Sequence, residues 1–306
     1  MVNENNSPTS LHIFTIGVSV LRNIERRHPR EIRHHAENLN IDVNALTTGA
    51  LSKGLPNTVE ELRKLSRENP KLREFLSFLT QKLRGDPRGL SAELNAFLSF
   101  VPSAEKGNSS VELILLYTQT PAGALSAHTV GSLLEEWGYP VDYVGLEGYG
   151  GPDEFDRGLV QLVRAFTQVM ESAQERARRE GRRMHMFINA TGGFKPEAAF
   201  MTILGFLSPL VQGVYYIHEN YRQAVMLPTL RITWDQEWIC GLLDLDGTDE
   251  KTARELLLHT DLPLDDLESL LTQGLLSRRP DGTLEVAPWV RMLTELYPPH
   301  APCPKR

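Results

Sequence analysis

Six short runs of apolar, β-branched-rich residues punctuate the first 230 positions: 11–18 (LHIFTIGV), 111–118 (VELILLYT), 141–147 (VDYVGLE), 184–190 (MHMFINA), 213–219 (GVYYIHE) and 224–230 (AVMLPTL). Runs of this length and composition predict strands. Amphipathic stretches with helical spacing follow the second strand (126–138), the third (154–180) and the fourth (196–211). Strand and helix in alternation predict parallel βαβ units, and hence an α/β fold with a Rossmann-like, doubly wound, mainly parallel sheet. The interval between the first two strands is too long for a simple crossover. Within it, TVEELRKLSRENPKLREFLSFLTQKLR (58–84) reads as two helices divided by Pro70, so a helical insertion is expected over about residues 24–105.

The pattern changes near Trp234. TDEKTARELL has helical spacing behind a Thr cap, LPLDDLESLLTQGLL is a second helix ending near Gly274, and RRPDGTLEVAP reads as a hairpin around Asp281-Gly282. Helix, helix and hairpin in that order predict a winged helix-turn-helix-like domain over 236–306, after a larger domain over 1–235. The two ends, MVNENNSPTS and PPHAPCPKR, are expected to be disordered.

Composition narrows the function classes. The first ten residues have no basic-then-apolar pattern, and no run approaches the ~18 apolar residues of a membrane span, so a cytoplasmic protein without a membrane partner is expected. The two cysteines, Cys240 and Cys303, are too few for a disulfide framework and lack paired zinc spacing. Neither a metal site nor another cofactor is expected. The net charge of −7 is uneven: residues 240–306 hold 7 Lys+Arg against 12 Asp+Glu, or −5. Extended nucleic acid is bound chiefly by neutralising phosphates, so this balance argues against duplex DNA as a partner. It leaves room for a small anion in a local pocket.

The segment MHMFINATGGFKPEAAFMTILGFL carries the most chemistry. A strand delivers Asn189 and Thr191 to the Gly192-Gly193 turn, and Pro196 suits the first turn of the next helix. Backbone N–H groups exposed at such a helix start favour an anion. Lys195 is mildly unfavourable there unless it meets a negative ligand. A plain glycine turn with a solvated lysine gives the same local pattern. Gly17 and Ser19 close the first strand, at the end where open α/β sheets bind ligands. Ser19 is a candidate for a phosphate or a sugar hydroxyl, and equally for a helix cap. Thr118, Gln119 and Thr120 end the second strand with a weaker signal. Glu219 and Asn220, at the end of the fifth, read as turn residues.

Taken together these segments resemble the CARF (CRISPR-associated Rossmann fold) family, in particular its ring nucleases with a C-terminal winged helix. The family pattern G-T-S-L-L-T-N appears as Gly17-Val18-Ser19-Val20-Leu21-Arg22-Asn23, and N-x-T-G-G-F-K as Asn189-Ala190-Thr191-Gly192-Gly193-Phe194-Lys195. Further similarity runs through LSAELNAF (90–97), TPAG, EFDRGL and VYYIHENYRQAVMLP, so the resemblance spans 11 to about 235. Val18 and Arg22 each stand where the family has threonine.

The resemblance implies a two-fold homodimer that binds a cyclic oligoadenylate second messenger of type III CRISPR antiviral defence, with cyclic tetraadenylate the first expectation. It further implies metal-independent ring opening, in which a ribose 2′-OH attacks the adjacent phosphate and leaves 2′,3′-cyclic phosphate ends. Ser19 and Lys195 would be catalytic. Gly17, Val18, Asn23, Gln119, Thr120, Asn189, Thr191, Gly192, Gly193 and Phe194 would bind the ligand. Two other functions stay open. One is a non-catalytic sensor acting through the winged helix, although LPLDDLESLLTQGLL contains no Lys or Arg. The other is a ribonuclease effector of the HEPN type, whose R-x4-6-H spacing is met by Arg254/His259 and Arg30/His35. The first of those pairs sits in a tail too short for that helical domain, and the second in a charged stretch that reads as a solvated face.

Overall fold

A computed structural model describes residues 9–48, 54–101, 104–108, 110–147, 155–193, 195–218, 223–227, 232, 236–259 and 267–294. Both chain ends lie outside the described residues. The six expected strands form β1 (Thr9–Ile16), β2 (Val111–Thr118), β3 (Val141–Leu146), β4 (Met184–Asn189), β5 (Val211–His218) and β6 (Gln223–Leu227). They make one sheet in the order β3-β2-β1-β4-β5-β6, parallel except for β6, which pairs antiparallel with β5. All but one residue of β1 are buried. A parallel strand covered on both faces requires this, and it explains why LHIFTIGV reads as a continuous apolar run without alternation.

Helices cover both faces. The chain from β1 to β2 winds through α1 (Ser19–Arg27), α2 (Pro29–Glu37), α3 (Val43–Thr48), α4 (Val59–Glu68), α5 (Pro70–Gly85), α6 (Pro87–Leu90) and α7 (Ala92–Phe100), and α8 (Pro121–Glu136) connects β2 to β3. The predicted break at Pro70 is real. Asn69 is extended, its side chain accepts from Leu72 N at 3.2 Å, and Pro70 opens α5 where its missing N–H costs nothing. The insertion is no separate lobe, because Leu46, Leu62, Phe75 and Leu79 share a buried cluster with Phe14 and Ile16 of β1 and with Leu115 of β2. On the opposite face, α9 (Phe155–Arg179) and α10 (Lys195–Leu207) pack on Leu11, Ile13, Ile188 and Val214.

Crossovers on one side of β1 therefore run over one face, and those on the other side over the opposite face. Between β1 and β4 the strand order reverses, which opens a crevice beyond the carboxyl ends of both strands.

After β6, α11 (Gln236–Asp244), α12 (Glu250–His259) and α13 (Leu267–Thr272) precede a hairpin of β7 (Leu276–Arg278) and β8 (Leu284–Val286), and α14 (Pro288–Leu293) follows. Gly282 takes φ +85° in the expected turn. This part has its own buried cluster, including Leu242, Ala253, Leu270 and Val286. Helices α11 and α14 were not foreseen. The latter ties the segment to the sheet: Met292 and Leu293 join the cluster under α9, and Trp289 meets Phe200 edge-on at 5.7 Å. No helix among the described residues is long and apolar enough to cross a membrane.

Candidate functional site

The two glycine turns singled out in the sequence meet at the β1/β4 crevice. A β-carbon on Gly17 would lie 2.7 Å from Gly193 N, and one on Gly192 would lie 1.9 Å from Glu93 Oε1. Gly193 has φ +91°, which L side chains rarely adopt. Thr15, buried on β1, donates its hydroxyl to Gly192 O at 2.6 Å and so pins the turn to the neighbouring strand. Lys195 begins α10 and is exposed, with no ion pair recorded among the described residues. Phe194, Glu219 and Asn220 lie outside the described residues.

Ser19 is the first residue of α1. It is no helix cap of its own helix: Val18 holds the cap position, and no side chain caps that end. Its hydroxyl donates instead to Glu93 Oε2 at 2.8 Å. Glu93 also accepts from Gly17 N at 3.0 Å, through Oε1, and from Ser91 Oγ at 2.8 Å. It is only 1% exposed and sits in the first turn of α7, where the positive helix end favours a carboxylate. The backbone of Glu93 takes part as well, since its carbonyl accepts from Asn189 Nδ2 at 2.9 Å. Asn189 Oδ1 in turn accepts from Thr191 N at 3.3 Å, and Thr191 Oγ1 accepts from Ile217 N at 3.1 Å. One carboxylate and one amide thus fasten α7, the β1 turn and the β4 turn together.

A second buried acid, Glu197 in the first turn of α10, is 1% exposed and accepts from Thr118 Oγ1 at 2.8 Å, joining β2 to the same corner. Thr120 caps α8, accepting from Gly123 N at 3.0 Å. Gln119 turns toward the sheet edge, with Nε2 donating to Gly145 O at 3.3 Å. Asn23, one turn along α1 from Ser19, donates to Leu90 O at 3.1 Å and holds α6 against α1. Arg22 donates to Thr47 O at 3.3 Å, near the C-terminus of α3, and Val18 packs on the apolar core. The crevice therefore gathers Gly17, Ser19, Gly192 and Gly193, with Lys195 two residues on. Asn23, Thr120 and Asn189 act on the frame around it.

Beneath the crevice lies an aromatic pack. The His12 ring stacks on Phe187 at 5.1 Å, meets Phe97 and Phe100 edge-on, and its Nδ1 lies 3.1 Å from Tyr215 Oη. Burial holds the His12 imidazole down to about 3 and pushes the Tyr215 phenol well up, against a smaller downward pull from Asn189. A cleft of about 570 Å³ opens elsewhere, between α4 and the edge strand β3. It shares no lining residue with the crevice, and its Arg63 is already engaged by Glu135 and by Tyr143 Oη at 2.7 Å. The chemistry, not cavity size, selects the β1/β4 crevice.

Glu93, Glu197 and Thr15 were missed in the sequence. Each acid follows a helix start, where Asp and Glu are common for dipole reasons alone, so neither is distinguishable from surface charge. The only signal for Glu93 was its place within LSAELNAF, one of the segments carrying the family resemblance.

A reversed strand order with touching glycine turns at the reversal defines a Rossmann-like α/β domain. Residues 88–230 match the family described as CRISPR-associated protein (Cas_APE2256). That segment is similar to this CRISPR-associated family, in line with the CARF resemblance. The match takes in Glu93, the Asn189–Lys195 turn and β2 to β6; Gly17 to Asn23 and the residues after 230 lie outside it.

Proposed function

We propose that the protein binds a cyclic oligoadenylate, cyclic tetraadenylate foremost, across the two-fold axis of a homodimer, and opens the ring without a metal. The observation that carries this reading is the contact of the Gly17 and Gly193 turns at the strand-order reversal, with Ser19 held in place by Glu93 and Lys195 exposed at the adjoining helix start. Two-fold ligands suit two-fold interfaces, so each protomer would take half the ring.

The nucleophile, a ribose 2′-OH, is already in the substrate, and holding it in line with the neighbouring phosphate supplies much of the rate. Negative charge builds on the non-bridging oxygens as it attacks. An ammonium at Lys195 and the amides of the glycine turn would stabilise that charge. Only interactions stronger in the transition state accelerate the step, so Lys195→Ala is expected to slow ring opening by ~10²- to 10³-fold. Affinity should fall only about tenfold. Single-turnover cleavage and calorimetric binding of cyclic tetraadenylate measure the two effects. Normal binding with normal cleavage in Lys195→Ala would sink the assigned role.

The segment after 236 reads as a winged helix-turn-helix-like domain with a part in dimerisation or in covering the pocket. DNA binding is disfavoured by its ion pairs. Arg254 and Arg278 pair with Glu250 and Glu268, Arg279 with Asp246 and Glu285, and Arg291 with Asp246. The ribonuclease reading gains nothing from these contacts. Arg254 is tied to acids, and the His35 ring packs on Phe75 and Phe78.

A further inference from the structure

We infer that Glu93 is a positioning residue that takes the proton of Ser19 during ring opening, so that a Ser19–Glu93 pair, not Ser19 alone, accepts the proton of the attacking ribose hydroxyl. This rests on the ring-opening reading above. It begins from an oddity of charge: the turn that would receive phosphates runs directly across a buried carboxylate. A β-carbon on Gly192 would all but coincide with Glu93 Oε1, at 1.9 Å. No Lys or Arg is paired with Glu93 among the described residues. Its oxygens are met by the Gly17 amide and the hydroxyls of Ser19 and Ser91, at 3.0, 2.8 and 2.8 Å. An anion fixed at the floor of an anion site works against binding, so a purely mechanical strut would be better made from a neutral amide.

The geometry gives the carboxylate a use. A serine hydroxyl has one hydrogen and two lone pairs. Ser19 commits its hydrogen to Glu93, and one lone pair faces Ala92 N at a long 3.4 Å. What Ser19 then offers a ligand is an acceptor. It cannot donate to a phosphate oxygen, but it can accept from a hydroxyl, and in a 3′,5′-linked ring the hydroxyl beside each phosphate is the ribose 2′-OH.

In the step that follows, the 2′-oxygen bonds to phosphorus while its proton passes to Ser19 Oγ. The original Ser19 proton passes to Glu93 Oε2. The bond from phosphorus to the 5′-oxygen breaks, and that oxygen takes a proton from the Lys195 ammonium. The products are a 2′,3′-cyclic phosphate and a 5′-hydroxyl, and solvent later restores the Glu93 carboxylate and the Lys195 ammonium. The same pair gives a use to the side-chain tie between α7, late in the long β1–β2 connection, and the β1 turn.

The test compares wild type with Glu93→Gln in single-turnover opening of cyclic tetraadenylate, in water and in mixtures of water and D2O, alongside calorimetric binding and thermal unfolding. Expected are wild-type cleavage with a curved proton inventory that fits three protons in motion, one more than Ser19 alone would move, and a Glu93→Gln protein that binds within threefold of wild type. That variant should open the ring ~10²-fold or more slowly, the usual scale of general-base assistance. Glu93→Gln cleaving at the wild-type rate, or losing rate and affinity in equal measure, overturns the proposal. If that variant fails to fold, the wild-type inventory still decides, and one that fits two protons or fewer overturns the proposal. Wild type that binds the ring and leaves it intact overturns the ring-opening reading and this inference together, whereas rapid cleavage by Glu93→Gln overturns this inference alone.

Discussion

Gly17 approaches Gly193 so closely that a methyl group on Gly17 has to move backbone, and one on Gly193 meets the Thr15 side chain. An added β-carbon at Gly17 meets Gly193 N at 2.7 Å, and at Gly193 it meets Thr15 Cβ at 2.9 Å in a positive-φ conformation. Gly193→Ala is expected to lose about 1–2 kcal/mol of stability from the conformation alone, roughly 2–8 °C in Tm. Gly17→Ala should lose ligand affinity by tenfold or more at a smaller cost in Tm, because its methyl spreads the two turns apart. Thermal unfolding with and without cyclic tetraadenylate reads both effects, and equal ligand-induced shifts in Gly17→Ala and wild type would argue against the crevice. A deeper residue sets the acid limb of stability. The His12 imidazole ordinarily titrates at 6.5 but is held down to about 3 by burial, so the fold keeps it neutral while the unfolded chain takes the proton. Stability from this group is complete above pH 6.5 and is lost as pH falls toward 3, by up to ~1.4 kcal/mol per pH unit. His128, lowered to about 4 by burial and secondarily by Arg63, adds to the same limb. Urea unfolding from pH 7 to 5 should therefore be visibly less pH-dependent in His12→Asn than in wild type, and identical slopes would contradict the assignment.

At the scale of elements, α7 does what the sheet crossovers do not. It covers the half of one sheet face formed by β4, β5 and β6: Phe100 stacks on Tyr215 at 4.2 Å, and Phe97 lies against Phe14 and His12. Its first turn simultaneously delivers Glu93 to the crevice. Phe97→Ala should cost ~3–5 kcal/mol, as large aromatic truncations in cores do, and should weaken ligand binding although Phe97 is fully buried. A stability loss without any change in affinity would separate α7 from the site. The strands were legible because buried parallel strands are continuous apolar runs, and the glycine turns because backbone that must touch backbone admits no other residue. The split at Pro70 was legible for the same reason, a covalent constraint visible in one letter. Glu93 and Glu197 were not, since their meaning lies in partners 74 and 79 residues away along the chain, Ser19 and Thr118. Helix α14 was hidden likewise: nothing in residues 288–293 marks a helix until the cluster under α9 supplies the surface on which Met292 and Leu293 pack.

Over the whole molecule, the charge balance becomes a matter of pairing. Each arginine described after residue 236 already has an acidic partner, so tight, salt-sensitive binding of duplex DNA by the full chain is not expected, and its observation in a salt titration would revive the regulator reading. A homodimer is expected at micromolar concentration, with Lys195 of each protomer facing the shared ligand, and sedimentation of a monomer with and without ligand would contradict it. Wild-type protein incubated with cyclic tetraadenylate in EDTA, its products resolved by mass, should yield linear oligoadenylates ending in 2′,3′-cyclic phosphate; a ring that is bound tightly yet recovered intact after hours would contradict ring opening and leave a sensor in its place.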